Sequence, residues 1–291
     1  MAKTRTGGFP IGFRSLNKGW QQDIGAAAAF AVENGFEAVD ARAIDPAELR
    51  KIADAGLRIG SVDLMQWPDL ASADGEKRKK AVEANTRLAR AAAALGVRNF
   101  FAVAVPEQPE ARRTENFARV VDGFGSLCEA IAPLGARVVL EGWPGPANSA
   151  IACTPADMRA LLKEIPRGLG INYDPSHLIR MGIDAVRFLD EFSGSIFHVH
   201  AKDTEIMEEE LYEHGHLQDA TFAKQHRFGG FSWRYTIPGH GCARWGRMLS
   251  GLKAAGYDGV VSVELEDEDF NGSEEGERQG LIASRSFLEN A

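Results

Sequence analysis

Four residues with metal-binding side chains stand at the ends of short apolar runs in this 291-residue chain. They are Glu141, Asp174, His200 and Glu264, three carboxylates and one imidazole, called here the four strand-end residues. Such a mixture of oxygen and nitrogen ligands suits a divalent ion. In a barrel of alternating strands and helices the C-terminal strand ends meet at one mouth, so residues far apart in sequence can share an ion. The set therefore predicts a divalent-metal site.

Further polar residues extend this candidate site. His177 comes three residues after Asp174 and leaves the same strand end. His198 and Lys202 share a face with His200, because side chains alternate along a strand with a period of two. We predict that His200 is the ligand at the mouth. His198, one layer deeper, is predicted to be a hydrogen-bonded residue of the core or one that supports the ligand.

Each strand-end residue also has an interpretation that needs no metal. Glu141 could form a structural ion pair, because an isolated buried charge is too costly. Asp174 precedes Pro175 and Ser176 and could simply cap a helix. A single glutamate such as Glu264 at a strand end is weak evidence. Four strand ends in succession that carry Glu, Asp, His and Glu favour the metal.

Eight apolar runs, each followed by a polar or turn segment, indicate the elements that position these residues. They are residues 9–14, 36–40, 57–64, 97–105, 136–141, 169–174, 195–200 and 259–264. Continuous rather than alternating apolar residues are typical of parallel strands covered on both faces. Helix candidates, among them 21–34, 45–55 and 74–95, follow the runs, and glycines stand behind them. We predict an α/β fold, a single (β/α)8 TIM barrel over residues 1–291.

One connection breaks the rhythm of the barrel. The spacing from His200 to Glu264 is nearly double that from Glu141 to Asp174. Residues 204–241 after the seventh strand are therefore predicted to be an insert that covers the mouth as a lid. A solvated excursion without function is the alternative.

The composition excludes several classes of protein. With 44% hydrophobic and 25% charged residues it is close to that of an average globular protein, and a net charge of −8 argues against nucleic acid as a partner. The cysteines Cys128, Cys153 and Cys242 lack the paired spacing of disulfides or zinc knuckles. There is no apolar stretch of signal-peptide or membrane-span length, so we expect a cytoplasmic protein without a membrane partner.

The motifs around the strand ends resemble those of a known family. They are Leu140-Glu141, Asn172-Tyr173-Asp174-Pro175-Ser176-His177, His198-Val199-His200-Ala201-Lys202-Asp203, Ile237-Pro238-Gly239-His240-Gly241 and Ser262-Val263-Glu264. Over nearly the whole chain this pattern is similar to the xylose isomerase-like barrel superfamily. That superfamily holds sugar isomerases and epimerases, inosose isomerases and dehydratases, tagatose 3-epimerases, hydroxypyruvate isomerases and endonuclease IV.

The resemblance implies roles for individual residues. The four strand-end residues would bind one divalent ion, His177 would contact the substrate, and Arg234 would contact it beside the metal. The epimerases carry a further glutamate six residues after the first ligand, where this chain has Ala147. The nuclease branch needs histidines at earlier strand ends, and no histidine precedes His177 here.

The chemistry follows from the ion. Mainly hard ligands favour Mn²⁺ or Mg²⁺, with Co²⁺ or Zn²⁺ as substitutes. Such an ion would polarise the carbonyl of a keto sugar or cyclitol and make the neighbouring C–H acidic. We predict that Glu141 and Glu264 move the proton while Lys202 and Arg234 stabilise negative charge. Trp233 is expected to form an apolar wall against the sugar, with Arg234 pointing into the mouth.

The predicted function is that of a metal-dependent sugar isomerase or epimerase. One alternative is a dehydratase or lyase that expels a leaving group from an inosose or a 3-keto-glycoside at the same site. Another is an inactive or partner-dependent sugar-binding subunit. By analogy with the family we expect a homodimer or homotetramer.

Overall fold

A closed barrel of parallel strands forms the centre of the molecule. The computed structural model describes residues 2–16, 18–42 and 45–291. The strands are β1 (Ile11–Arg14), β2 (Ala38–Ala41), β3 (Arg58–Asp63), β4 (Asn99–Val103), β5 (Arg137–Glu141), β6 (Leu169–Tyr173), β7 (Ile196–Ala201), β8 (Asp203–Ile206), β9 (Trp233–Thr236) and β10 (Val261–Val263). The strands β1 to β7 pair in chain order, and β10 closes the barrel between β7 and β1. The predicted eight-stranded barrel is confirmed.

Helices surround this barrel. They are α1 (Ile24–Glu33), α2 (Pro46–Asp54), α3 (Gly75–Ala93), α4 (Arg113–Ile131), α5 (Pro155–Glu164), α6 (Pro175–Arg180), α7 (Ala185–Phe192), α8 (Glu208–His214), α9 (Trp245–Ala254) and α10 (Glu274–Asn290). The helix boundaries follow local signals in the sequence. Pro46 begins α2 behind the capping carboxylate of Asp45, which accepts from the backbone N–H of Ala47 at 2.7 Å. Gly35 and Gly96, predicted to end helices, have positive φ angles of 73° and 88°.

The main hydrophobic core lies between the barrel and its helices. Strand residues such as Val138 and Leu140 point outwards into it and are fully buried. A second, smaller cluster contains Phe101, Val103 and Val139 from the alternate faces of their strands. No helix within the described ranges is both long enough and apolar enough to cross a membrane.

The register of the strands brings the candidate residues to one level. Glu141 at the end of β5 pairs with Asn172 of β6, and Ser262 of β10 pairs with His200 of β7. Parallel strands in register present their carboxyl ends at the same face of a barrel. The side chains at these ends can therefore meet although they are far apart in sequence.

The segment after β7 differs from the predicted rhythm. It begins one residue earlier than the expected insert, with β8, and pairs antiparallel with β9 to form a hairpin. The short helix α8 lies between the two strands, so α9 is the helix that returns the chain to the barrel. The sequence predicted an extended connection after the seventh strand but not that it forms its own two-stranded sheet.

A close contact fixes the loop that follows β3. Residues 67–71 form a short 3₁₀ helix whose Leu70 carbonyl lies against Gly123 of α4. A Cβ atom at Gly123 would stand 1.9 Å from that carbonyl oxygen, whereas one at Gly125 would be 3.6 Å from its nearest neighbour, a side-chain atom of Ile165. The absence of a side chain at Gly123 thus lets α4 support the barrel mouth.

We expect Gly123→Ala to destabilise the protein by about 1–3 kcal/mol, because the added methyl group forces the backbone at Leu70 to move. Gly125→Ala on the same helix is the control and should be neutral or stabilising by up to about 1 kcal/mol, since alanine favours helices. Urea unfolding followed by circular dichroism measures both. Equal stability of the two variants would contradict the described contact.

Candidate metal centre at the barrel mouth

The structure brings the four strand-end residues together. Glu141 is the last residue of β5, Asp174 and Glu264 directly follow β6 and β10, and His200 is the penultimate residue of β7. One potential ligand atom from each lies within 4.8 Å of the others. All four side chains are buried, and Glu264 is the most accessible at 9%. The geometry therefore contains the donor set that the sequence predicted.

Two cations lie against this cluster. Lys202 Nζ donates to Glu264 at 2.6 Å and to Glu266 at 2.9 Å. Arg14 at the end of β1 contacts Glu264 through Nε at 3.1 Å and binds both oxygens of Asp63 at 2.5 and 2.8 Å. Burial alone would lower the pKa of Lys202, but Glu264 and the neighbouring carboxylates outweigh it and raise that pKa well above its ordinary value. Both side chains are therefore charged.

Negative charge still exceeds positive charge in this network. Among the residues described there, the carboxylates of Glu141, Asp174 and Glu264 are joined by those of Asp63 and Glu266, against the two permanent cations. Buried charge that is not paired is costly, so a further cation would stabilise the arrangement.

The donor set fits a divalent ion. Asp174 Oδ2 is buried and accepts no hydrogen bond from the described residues, while Oδ1 caps α6 by accepting from the backbone of Ser176 at 2.8 Å. The helix cap proposed as an alternative for Asp174 is thus real, yet it uses only one oxygen. Burial raises the pKa of Asp174, although Lys202 and His177 act in the opposite direction. A doubly charged ion would keep this carboxylate ionised.

Burial and the neighbouring charges also act in opposite directions on the pKa of His200. Burial would lower its pKa, but Glu264 and Glu141 raise it well above its ordinary value. Its Nδ1 lies 2.8 Å from Glu141 Oε2. A proton on this imidazole and a divalent ion are therefore competing ways to neutralise the carboxylates, and an ion that binds here would displace the proton.

A buried carboxylate holds the histidines from below. Asp40 Oδ2 lies 2.8 Å from His198 Nε2 and 3.6 Å from His200 Nε2, and Oδ1 accepts from the backbone of Ser61 at 3.0 Å. Gly60 makes room for it, since a Cβ there would stand 2.2 Å from Asp40 Oδ1. Burial would raise the pKa of Asp40, but His198 and His200 lower it. His198 is thus placed one layer beneath the mouth.

His177 lies between the cluster and the insert. Its Nε2 is 3.1 Å from Glu141 Oε1, and its Nδ1 is 2.6 Å from the hydroxyl of Tyr235 on β9. Arg180 donates to the same hydroxyl at 2.9 Å. Because arginine can only donate, the hydroxyl accepts from Arg180 and is free to donate to Nδ1, which leaves the Nε2 proton facing Glu141. Burial raises the pKa of Tyr235, so the hydroxyl keeps its proton.

The turn at residues 237–241 is anchored by Asp203, the first residue of β8. Its carboxylate accepts from the backbone of Ala243 at 2.8 Å and of Gly239 at 3.0 Å, and from Trp245 Nε1 at 3.2 Å. A Cβ at Gly241 would stand 2.4 Å from Asp203 Oδ1, so the turn needs glycine there. Asp203 and the turn at residues 237–241 therefore fix the hairpin to the barrel.

The structure does not bring Arg234 to the cluster. Its guanidinium lies 2.7 Å from the carboxylate of Glu205, 3.2 Å from that of Glu268 and 3.0 Å from that of Asp269. These ion pairs connect the hairpin to the loop after β10. Neighbouring residues of a strand face opposite sides, and it is Tyr235 that faces inwards. The prediction that Arg234 points into the mouth is therefore wrong, and the next residue, Tyr235, points there instead.

Trp233 lies on the same face as Tyr235, with ring centroids 5.0 Å apart, and Arg180 stacks over its ring at 4.3 Å. It lines a cavity of about 810 Å³ beneath the insert rather than touching the four strand-end residues. Its expected role as a wall against the sugar stays a prediction.

Several site residues were missed by sequence reasoning. Arg14 and Asp40 end apolar runs, so the strand-end rule that identified Glu141 could also have identified them. No comparable signal marks Tyr235, since it depends on a hairpin that the sequence pattern did not show. The pairing of Arg14 with Asp63 likewise depends on the register across two strands.

Comparison with known proteins identifies the family. Residues 26–290 match the family described as the xylose isomerase-like TIM barrel. The chain belongs to this family, as the sequence motifs predicted.

Individual relatives are more distant. An inosose dehydratase from Geobacillus thermodenitrificans is 28% identical over 154 residues, which span 53% of this chain and 48% of that protein. The protein YfiH of Bacillus subtilis is 31% identical over 133 residues, 45% of this chain and 40% of the relative. The matches thus cover less than half of these relatives.

Solved structures confirm the fold over nearly the full length. A D-tagatose 3-epimerase-like protein has a TM-score of 0.70 at 19% identity and covers 96% of both chains. A 3-keto-D-glucoside 4-epimerase from E. coli has a TM-score of 0.70 at 18% identity and covers 96% of this chain and 98% of that one. At these identities the likeness concerns the fold alone.

We expect Tyr235→Phe to destabilise the protein by about 1–3 kcal/mol, because His177 Nδ1 and Arg180 lose a buried hydrogen-bond partner. Tyr212→Phe on α8 is the matched control, since Tyr212 is 84% exposed, and it should leave stability unchanged. Chemical denaturation compares them. A fully stable Tyr235→Phe variant would mean that the hydroxyl does not hold His177.

Proposed function

We propose that this protein is a divalent-metal-dependent enzyme that moves a proton next to the carbonyl of a keto sugar or cyclitol, as an isomerase or epimerase. The observation that carries the proposal is the buried cluster of Glu141, Asp174, His200 and Glu264, with ligand atoms within 4.8 Å of one another. These residues would hold the ion, with Mn²⁺ the preferred occupant and Mg²⁺, Co²⁺ or Zn²⁺ as substitutes. The similarity to an inosose dehydratase supports a small sugar or cyclitol as substrate.

The metal would supply Lewis acidity towards the substrate carbonyl, which makes the adjacent C–H acidic. Glu141 and Glu264 are then the proton carriers. Burial and the charge of Glu264 would raise the pKa of Glu141, but His177 and His200 lower it below its ordinary value. Lys202, His200 and Arg14 likewise overcome burial and hold the pKa of Glu264 well below its ordinary value. Both carboxylates are therefore ionised and able to accept a proton.

The surrounding residues complete the proposed site. Lys202 and Arg14, which contact Glu264, provide positive charge where negative charge develops on the substrate oxygens. His177 directs its Nε2 towards Glu141 and would bind a substrate hydroxyl beside it. If Glu141 and Glu264 serve opposite faces of the sugar, the product is an epimer; if one of them both removes and returns the proton, the carbonyl migrates.

The insert is proposed to cover this site. The hydroxyl of Tyr235 lies 2.6 Å from His177 Nδ1 and so connects the hairpin to the site. Asp203 fixes the turn that follows β9. A closed cover excludes water from a reactive carbanionic species and strengthens the charge interactions around it. Under this proposal the insert contributes a side chain to the site as well as shielding it.

A dehydratase or lyase is the second candidate. The relatives that include inosose dehydratases favour it, and so does Ala147, which stands where the epimerases carry a further glutamate. Removal of the same proton followed by loss of a leaving group would need no change among the four strand-end residues.

The test is a panel of keto sugars, inosose and 3-keto-glycosides incubated with Mn²⁺ in D₂O and followed by NMR. Deuterium incorporation without a leaving group identifies an isomerase or epimerase, and release of water or an aglycone identifies a lyase. Glu264→Gln should lower turnover at least about a hundredfold, because the amide cannot accept a proton. The same change at exposed Glu274, on α10, is the control.

Neither exchange nor elimination with any member of the panel would contradict an enzymatic function and favour a sugar-binding subunit. A Glu264→Gln variant of normal rate would contradict the role of Glu264 as proton carrier.

A further inference from the structure

A second cavity opens at the barrel mouth on the side of β2 and β3. It measures about 500 Å³ and is lined by Arg42, which follows β2, and by residues 63–68 at the end of β3. This volume is in the range of small-molecule sites. The cavity combines a cation, the aromatic ring of Trp67 and the apolar side chains of Leu64 and Met65.

The cavity adjoins the four strand-end residues through two short chains of contacts. Its Asp63 binds Arg14, which in turn contacts Glu264 at 3.1 Å. Trp67 of the cavity packs edge-on against Phe101, with ring centroids 5.8 Å apart. Phe101 in turn packs against His200, with ring centroids 5.1 Å apart. Asp63 and Trp67 of the cavity wall are thus each one residue removed from a residue of the metal cluster.

The wall of the cavity is built to keep its shape. The fully buried amide of Asn85 accepts from the backbone N–H of Met65 at 2.7 Å and donates to its carbonyl at 3.0 Å. Gln66 next to it has a φ angle of 43°, a left-handed conformation that is strained for a residue other than glycine. Such strain persists where neighbouring contacts over-determine the backbone and is concentrated at functional sites.

Arg42 lacks a charge partner. Its Nε is buried and has no hydrogen-bond partner, and no carboxylate lies within 4.0 Å of its guanidinium nitrogens, over residues 2–16, 18–42 and 45–291. The nearby carboxylate of Asp63 is satisfied on both oxygens by Arg14. The guanidinium is therefore available to an anion from outside.

The larger cavity beneath the insert differs in this respect. Of its two arginines, Arg113 is paired with Asp157, while Arg180 donates to Tyr235 and stacks on Trp233. Arg113 is thus neutralised by a carboxylate, and Arg180, which has no carboxylate partner among the described residues, is held against the insert by its hydrogen bond and its stacking contact. No such contact from the described part of the chain holds the guanidinium of Arg42, so the cavity at β2 and β3 is the better candidate.

We propose that the cavity at β2 and β3 is a subsite for an anionic group, a carboxylate or a phosphate, on the part of the substrate sugar that points away from the metal. Arg42 binds the anion with charge-assisted hydrogen bonds, and Trp67 packs against the sugar ring. The proposal rests on the proposed function for the sugar itself and adds the charge of the substrate. It makes Arg42 the residue that selects acidic over neutral sugars.

Calorimetric titration with D-glucose, D-glucuronate and D-glucose 6-phosphate tests this, and the two charged sugars distinguish carboxylate from phosphate. We expect wild-type protein to bind at least one charged sugar about tenfold or more tightly than glucose, the scale of a hydrogen bond to a charged group. Arg42→Gln should lose this preference while its affinity for glucose stays unchanged. Arg50→Gln, an exposed change of equal charge on α2, should behave as wild type.

The isosteric change Gln66→Glu provides a second variant should Arg42→Gln fold poorly. It places a negative charge at the cavity and should abolish the preference by repulsion. Titrations are run with Mn²⁺ and repeated after EDTA, because a bound ion would itself attract an anionic sugar. The contribution of Arg42 is the difference in affinity between variant and wild type, measured under the same one of these two conditions.

Three results would overturn the proposal: no preference for a charged sugar in wild type, a preference that survives both variants, or no saturable binding of any of the three sugars. Since these results are read from binding, they are independent of whether the D₂O experiment detects proton transfer.

Discussion

The accumulation of buried negative charge at one end of the barrel is the constraint on which the rest of the structure depends. Glu141, Asp174 and Glu264 arrive from three different strands and are all shielded from water. Lys202 and Arg14 relieve part of their repulsion, while burial first, and then the charges of Glu141 and Glu264, raise the pKa of Asp174. In a medium of low dielectric a further cation would stabilise such an arrangement, and the donor types present suit a hard divalent ion.

Residues from elsewhere in the fold hold the groups that surround the four strand-end residues. Asp40 supports the histidines of β7 from below, Tyr235 holds His177 from the insert, and Asn85 clamps the loop beside Trp67. These supports come from opposite sides of the barrel and from the one long connection. Precise placement of proton-carrying groups depends on supports of this kind. The site is accordingly a product of the whole fold and not of the strand ends alone.

The sequence predicted the barrel and the meeting of the four strand-end residues at its mouth because both depend on local, repeated signals. Apolar runs fix the strands, glycines and proline fix the helix ends, and the polar residue at each strand end reaches the mouth by the geometry of the fold. Arg234 illustrates where this reasoning fails. The insert has no repeated pattern from which the direction of its side chains can be read. Because the hairpin was not recognised, Arg234 was predicted to point into the mouth, whereas Tyr235 does so. The ion pair of Arg14 with Asp63 was equally hidden, since it depends on long-range register.

The location of bound Mn²⁺ in a crystal, determined from its anomalous scattering, decides whether the four strand-end residues hold a metal ion. We expect one peak per chain enclosed by Glu141, Asp174, His200 and Glu264, with Lys202 Nζ moved further from Asp174 Oδ2 than the 3.4 Å that separates the two atoms in the present structure. Crystals saturated with Mn²⁺ that show no peak there, and in which Lys202 still bridges Glu264 and Asp174, would contradict it. The cluster would then be an ion-pair network that stabilises the barrel mouth by itself.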